Sequence, residues 1–207
     1  MNQLFQKIQL LKNSDVRAKV EKRIKEFKTI NKNSTDDLFT EMCFCILTAN
    51  FSAERGMQIH SQLSSCFLTD SQERLTQKLQ KSGYRFPKTR ADYITSSTKS
   101  KDALKTIILS LQGEERREWL VKNIKGLGFK EASHFLRNIG FDDYAIIDSH
   151  ILDLLERYRF IKKPKTLTRK KYLEIEKILE KIAIKTNLTL AELDLYLWYM
   201  ETGKIFK

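Results

Sequence analysis

Proline and glycine are scarce, at 2 and 7 residues in a chain of 207. That scarcity argues against a long flexible linker or a disordered tail. There are only three cysteines, and no Cys-x-x-Cys pair, so neither a disulfide framework nor a four-cysteine cluster is expected. Cys43 and Cys45 lie in an apolar run and read as core residues. No apolar run is long enough to span a membrane and no leader pattern is visible. A soluble intracellular protein, cytoplasmic or nucleoid-associated and not secreted, is therefore expected. Strand-like alternation, internal repeats and low-complexity tracts are all missing. So is a heptad pattern, which points to a monomer.

What is present is helical periodicity on a basic chain. Hydrophobic residues make up 41%, enough for one domain or two small intimate ones. Lys and Arg number 38 against 26 Asp and Glu, a formal charge of +12. That excess favours a polyanionic partner. Leu4, Ile8 and Leu11 are spaced for a helix, as are Val20, Ile24 and Phe27, with the polar stretch Asn31–Ser34 following. Ser34 and Asp37 form a capping-box pattern ahead of a helix apolar nearly all round, which should be central. A polar break from Thr48 to Arg55 precedes a helix near Gln58, and Asp70 with Glu73 marks another start. Tyr84–Arg90 reads as a basic, aromatic loop, with Pro87 holding Phe86 extended. Helices are predicted around Ala91–Thr98, Asp102–Leu111 and Glu114–Lys125, then from Asp148, from Arg169, and from a Thr189/Glu192 capping box to Gly203. The class is all-α.

The stretch Lys122–Arg137 organises the rest. Trp119, Leu120 and Ile124 have helical spacing, and Gly126-Leu127-Gly128 interrupts with two residues that can take positive φ. Ala132, Phe135, Leu136 and Ile139 restart the period. Glycines at such a turn also leave backbone N–H groups open at a helix start, where a phosphate can bind. A plain helical hairpin would have the same pattern. Lys130 in the first turn, and Asp148 and His150 further on, are what a plain hairpin does not require.

This hairpin, the Lys of Gly-Leu-Gly-Phe-Lys130 and the Asp of Ile-Ile-Asp148-Ser-His resemble the helix-hairpin-helix DNA glycosylases that have lyase activity. The run Lys130-Glu-Ala-Ser-His-Phe-Leu-Arg-Asn138 is closer to one branch, the type-2 8-oxoguanine DNA glycosylases/AP lyases. Cys43–Asn50, Leu193–Tyr199 and the ending Thr202-Gly-Lys-Ile-Phe-Lys207 match as well, so the resemblance spans most of the chain.

The resemblance implies two helical subdomains with a cleft between them. A six-helix barrel would run from about 34 to 140 and end in the helix-hairpin-helix, about 114 to 139. The second would combine 1–33 with 141–207. Lys130 would reach into the cleft from the barrel side and Asp148 from the other. It implies excision of 8-oxoguanine from double-stranded DNA through a Lys130 Schiff base, then β-elimination 3′ to the abasic site. Breaking the glycosidic bond builds positive charge at C1′, which a carboxylate stabilises. An amine can then attack C1′, provided it is neutral. The positive helix end disfavours the charged amine and Asp148 favours it, so the balance has no sign at this level.

Other site residues carry two readings. Asp148 can act in catalysis, cap the following helix, or do both. His150 can contact a phosphate or simply sit on its helix, while His60 and His134 read as structural or surface residues. A target base must leave the duplex. Phe86 and Trp198 are, by resemblance, its stacking partners, and otherwise core aromatics. Asn50, Phe51 and Ser52 correspond to the wedge region that fills the gap, and Gly126 and Gly128 to the DNA-binding turn. Lys207 would distinguish 8-oxoguanine from guanine by an acceptor facing N7–H; otherwise it is a frayed end. No His/Asp/Glu set suggests a metal nucleophile, and no cofactor or iron–sulfur cluster is expected. Hairpin carbonyls are the one place for a structural monovalent cation. Two alternatives stay open: a glycosylase of the same fold for another damaged base, such as an oxidised pyrimidine, and a non-catalytic hairpin module that only binds DNA.

Overall fold

The computed structural model describes residues 2–30 and 33–207, apart from the side chain of Asn2. Asn31 and Lys32, in the polar stretch expected after the second helix, lie outside the described residues. Thirteen α-helices and one 3-10 turn, and no strand, are found among the described residues. They are α1 (Asn2–Lys12), α2 (Val16–Ile30), α3 (Thr35–Thr48), α4 (Ala53–Leu63), α5 (Cys66–Thr69), α6 (Gln72–Lys81), α7 (Pro87–Ser97), α8 (Lys101–Ser110), α9 (Gly113–Asn123), α10 (Phe129–Asn138), α11 (Ser149–Arg157), α12 (Arg169–Thr186) and α13 (Leu190–Thr202).

The chain forms two compact units. One is the continuous stretch Ile30–Phe135, and the other joins Met1–Thr29 to Leu136–Lys207. The division falls inside α10, at Leu136 rather than after Gly140.

In the continuous unit α3 is the centre. Its run from Glu41 to Thr48 is buried without interruption, and α4, α5, α7 and α8 pack on it. The capping box at its start is present: Ser34 accepts from Asp37 N–H, and the Asp37 carboxylate accepts from Ser34 N–H. Its far end is closed by side chains. Tyr84 Oη donates to Leu47 O at 2.5 Å and Arg90 Nη2 to Ala49 O at 3.0 Å, satisfying carbonyls the helix leaves open.

Four details depart from the sequence reading. The loop at Tyr84 is shorter, because Pro87 opens α7, where a missing N–H costs nothing. Ser71, not Asp70, caps α6; Asp70 lies 2.7 Å from Lys78 instead. The short α5 had no periodicity to reveal it. In α9 the buried residues are Arg116, Arg117 and Leu120, while Trp119 is half-exposed. Both arginines have partners. Arg116 donates to Ile108 O and Leu111 O at the end of α8, and Arg117 to Ser133 Oγ and Glu114.

The second unit has a cluster of Val16, Val20 and Phe27 from α2 with Leu195 and Tyr196 from α13. Ile205 of the C-terminal tail packs against this cluster. Gly140 (φ +97°) lets the turn after α10 approach α2; a Cβ there would sit 2.9 Å from Lys28 Cα.

Candidate active site

One group of candidate residues is carried by the hairpin of α9 and α10. Gly126 takes φ +93°, and a Cβ on it would lie 2.3 Å from the Tyr93 ring. No other residue fits, on conformation and on space. Gly128, expected as a second positive-φ residue, does not adopt that conformation. It precedes Phe129, the first residue of α10, and its carbonyl accepts the first helical bond, from Ala132 N–H at 2.9 Å. Arg117 braces the second helix: its guanidinium lies over the Phe129 ring at 5.2 Å and donates to Ser133 Oγ at 3.1 Å. Lys130 follows Phe129, so the turn and the brace fix its backbone. Its side chain is 26% exposed, with Nζ 3.1 Å from Glu131 Oε1.

A separate group, in the other unit, is built around Asp148. The segment Tyr144–Ile147 is buried but belongs to no helix or sheet, so its backbone needs partners from side chains. Helix α12 supplies them. Glu176 Oε1 accepts from Ala145 N–H at 2.9 Å, and Tyr172 Oη donates to Ala145 O at 2.7 Å and accepts from Ile147 N–H at 3.2 Å. Asp148 comes next and caps α11, its Oδ1 accepting from Ile151 N–H at 2.9 Å. One oxygen is thus engaged in the cap, as its position before a helix suggests.

Beneath this segment Asp194 lines a small cavity with Ala145, Ile146 and Ile151. It is buried and ion-paired to the equally buried Arg137. Burial pushes its carboxyl up to about 6; Arg137 opposes that rise and the Asp148 charge adds to it. Arg137 also donates to Asn138 Oδ1 and lies 4.9 Å from the Phe27 ring centroid. Sequence reasoning missed Tyr172, Glu176 and this pair as supports of the site. The one available signal was an Asp inside the apolar run of α13.

The other candidates fall into place within their own units. His150 is exposed on α11, edge-on to Trp198 with ring centroids 5.2 Å apart. Trp198 is half-buried, and its indole N–H is buried without an acceptor. Phe86 is half-buried beside the guanidinium groups of Arg85 (5.0 Å) and Arg90 (5.7 Å). Asn50 is exposed at φ +58°, while Phe51 packs on Tyr84 with centroids 4.4 Å apart, and Ser52 caps α4. Of the three wedge candidates, only Asn50 is therefore a projecting tip. Lys207 is half-buried, following Phe206, whose ring lies 5.4 Å from Lys204 Nζ. His60 is a packing residue, its Nε2 3.1 Å from Thr40 O and its ring against Phe44 and Phe67. Among the described residues no group of three or more His, Cys, Asp or Glu could hold a metal, and no helix is long and apolar enough to cross a membrane.

Comparison with known proteins identifies the family. The family model for 8-oxoguanine DNA glycosylase matches residues 20–188. The 8-oxoguanine DNA glycosylase/AP lyase of Korarchaeum cryptofilum is 51% identical over 209 residues, covering 100% of this chain and 99% of that protein. The crystal structure of the Methanocaldococcus jannaschii 8-oxoguanine glycosylase/lyase, in complex with a 15mer DNA containing 8-oxoguanine, superimposes with a TM-score of 0.96 at 51% identity. The match covers 99% of this chain and 100% of that one. The Thermotoga maritima 8-oxoguanine DNA glycosylase structure gives a TM-score of 0.94 at 39% identity, covering 100% of this chain and 99% of the other. With its helix-hairpin-helix fold and near full-length agreement, this chain belongs to the 8-oxoguanine DNA glycosylase family.

Proposed function

We propose that this protein excises 8-oxoguanine from double-stranded DNA and then cleaves the strand 3′ to the abasic site. The observation that carries the reading is the place of Lys130. It is a half-buried amine fixed in the first turn after a glycine hairpin, in a chain that matches glycosylase/AP lyases from end to end.

In this reading the C1′–N9 bond of the flipped nucleotide breaks and Asp148 stabilises the charge that builds on the sugar. The neutral Lys130 amine attacks C1′, and ring opening leaves a Schiff base. Loss of a proton from C2′ then expels the 3′ phosphate. Because one Asp148 oxygen is held by Ile151 N–H, the carboxylate does not have to be oriented during the reaction. Gly126 and Gly128 leave the hairpin backbone open to a DNA phosphate, and His150 contacts a neighbouring one. Asn50 enters the gap in the duplex. Phe86 and Trp198 stack on the extruded base, and Lys207 supplies the acceptor for N7–H of the lesion. The protein works as a monomer in the compartment that holds the DNA, without a cofactor.

Borohydride trapping on duplexes carrying 8-oxoguanine, an oxidised pyrimidine or no lesion tests the reading. A covalent adduct at Lys130 on the 8-oxoguanine duplex is expected. An adduct only on the pyrimidine duplex would reassign the substrate, and none on any duplex would leave only a DNA-binding module.

A further inference from the structure

The carboxylate of Glu131 stands between two groups that the proposed reaction uses. Its Oε2 accepts from Gly128 N–H at 3.3 Å and its Oε1 lies 3.1 Å from Lys130 Nζ. The Glu131 side chain is only 15% exposed, so solvent screens the contact weakly. The first contact is ordinary for a glutamate at the third position of a helix, reaching back to the N-cap amide. The second adds nothing to capping. Gly128 makes room for the arrangement, since a Cβ there would be 3.1 Å from Glu131 Oε2.

The consequence is a conflict between the resting protein and the reaction. An anion already occupies the helix start where a DNA phosphate would bind. The amine that must reach C1′ is tied to a neighbouring carboxylate instead. Both obstacles vanish if the carboxylate leaves.

We infer that Glu131 is a positioning residue that restrains Lys130 in the free protein and releases it when DNA arrives. A backbone phosphate takes over Gly128 N–H and repels the carboxylate. Lys130 Nζ loses its partner and is free to turn toward C1′. Glu131 makes and breaks no covalent bond. The inference rests on the reading of Lys130 as the lyase nucleophile.

Glu131→Gln is the informative change, because an amide oxygen still accepts from Gly128 N–H while the charge is gone. Without DNA, Lys130 is labelled with acetic anhydride near neutral pH and followed by mass spectrometry, with exposed Lys122 as the internal standard. Labelling of Lys130 about threefold faster in the variant is expected, the scale of a partly exposed ion pair. Single-turnover trapping on 8-oxoguanine duplex should also be faster, and undamaged duplex should bind more tightly. A merely structural glutamate would give neither the faster labelling nor the faster trapping. Equal labelling in the two proteins overturns the restraint. So does slower trapping of the variant at every pH with its melting temperature unchanged, which would make Glu131 a group the chemistry needs. Glu131→Ala serves as a second variant, with the same labelling expected. The labelling arm uses no DNA, so its failure is separate from a failure of wild-type trapping, which would remove the lyase reading instead.

Discussion

Lys130 and Asp148 are held in opposite ways. The backbone of Lys130 is set by residues close to it in the chain: the turn at Gly126, the start of α10, and Arg117 one helix earlier. Asp148 follows a buried segment without secondary structure, whose amides and carbonyls are satisfied by Tyr172 and Glu176 of α12, and it lies above an ion pair formed with α13. A local device can be read from a short motif, and its failure should be confined to chemistry. A long-range one should fail through stability.

The largest effect should come from the local side. Lys130→Gln should abolish borohydride trapping while leaving DNA affinity and melting temperature near wild type; undiminished trapping would assign the Schiff base to another amine. On the other side, Asp194→Ala leaves the Arg137 charge buried without its partner, which should cost about 3–5 kcal/mol in denaturant unfolding. An intact stability would mean that water replaces the carboxylate. The pair also carries a pH signature. A carboxyl raised to about 6 by burial stabilises the fold most fully below its unfolded value of 3.8, and that contribution is lost as pH rises through about 6. The stability of wild type relative to Asp194→Asn should therefore fall between those two pH values, and a flat difference would refute the assignment.

Tyr172→Phe is a smaller break of the same kind. It strips Ala145 O and Ile147 N–H of their shared partner at almost constant volume, so about 1–3 kcal/mol should be lost. Base release should suffer along with stability, because Asp148 follows directly. The least disruptive change in structural terms is Asp148→Asn. Asparagine caps a helix as well as aspartate does, so stability should hold while single-turnover base release drops at least about tenfold, roughly 1.4 kcal/mol in the barrier. Wild-type release would reduce Asp148 to a cap.

The same division explains what the sequence made legible. The capping boxes at Ser34 and Thr189, the Asp148 cap and the Gly203 stop are all within four residues of the groups they serve, and periodicity found their helices. The glycine turn was readable because positive φ is a local property, although only Gly126 uses it. Partners distant in sequence were not readable. Nothing around Glu176 indicates that its carboxylate serves Ala145 N–H, and nothing around Arg116 indicates that it closes the end of α8. In α9, charged residues took core positions that periodicity gave to Trp119, because hydrogen bonds from other helices compensate their burial. Asn50 and Phe51 are adjacent, yet one projects and the other packs on Tyr84, a distinction that only the backbone at φ +58° makes.

One of the two units is a single stretch of chain and the other is made from both ends of it. Synthesis and folding therefore cannot proceed in step. Ile30–Phe135 has its own central helix and can begin to fold as it emerges from the ribosome. Val16, Val20 and Phe27 emerge well before Leu195 and Tyr196, against which they pack. At ordinary rates of synthesis the early helix waits on the order of ten seconds for its partners. During that time α2 carries an uncovered apolar stripe on a strongly basic stretch, whose like charges oppose association between unfinished chains.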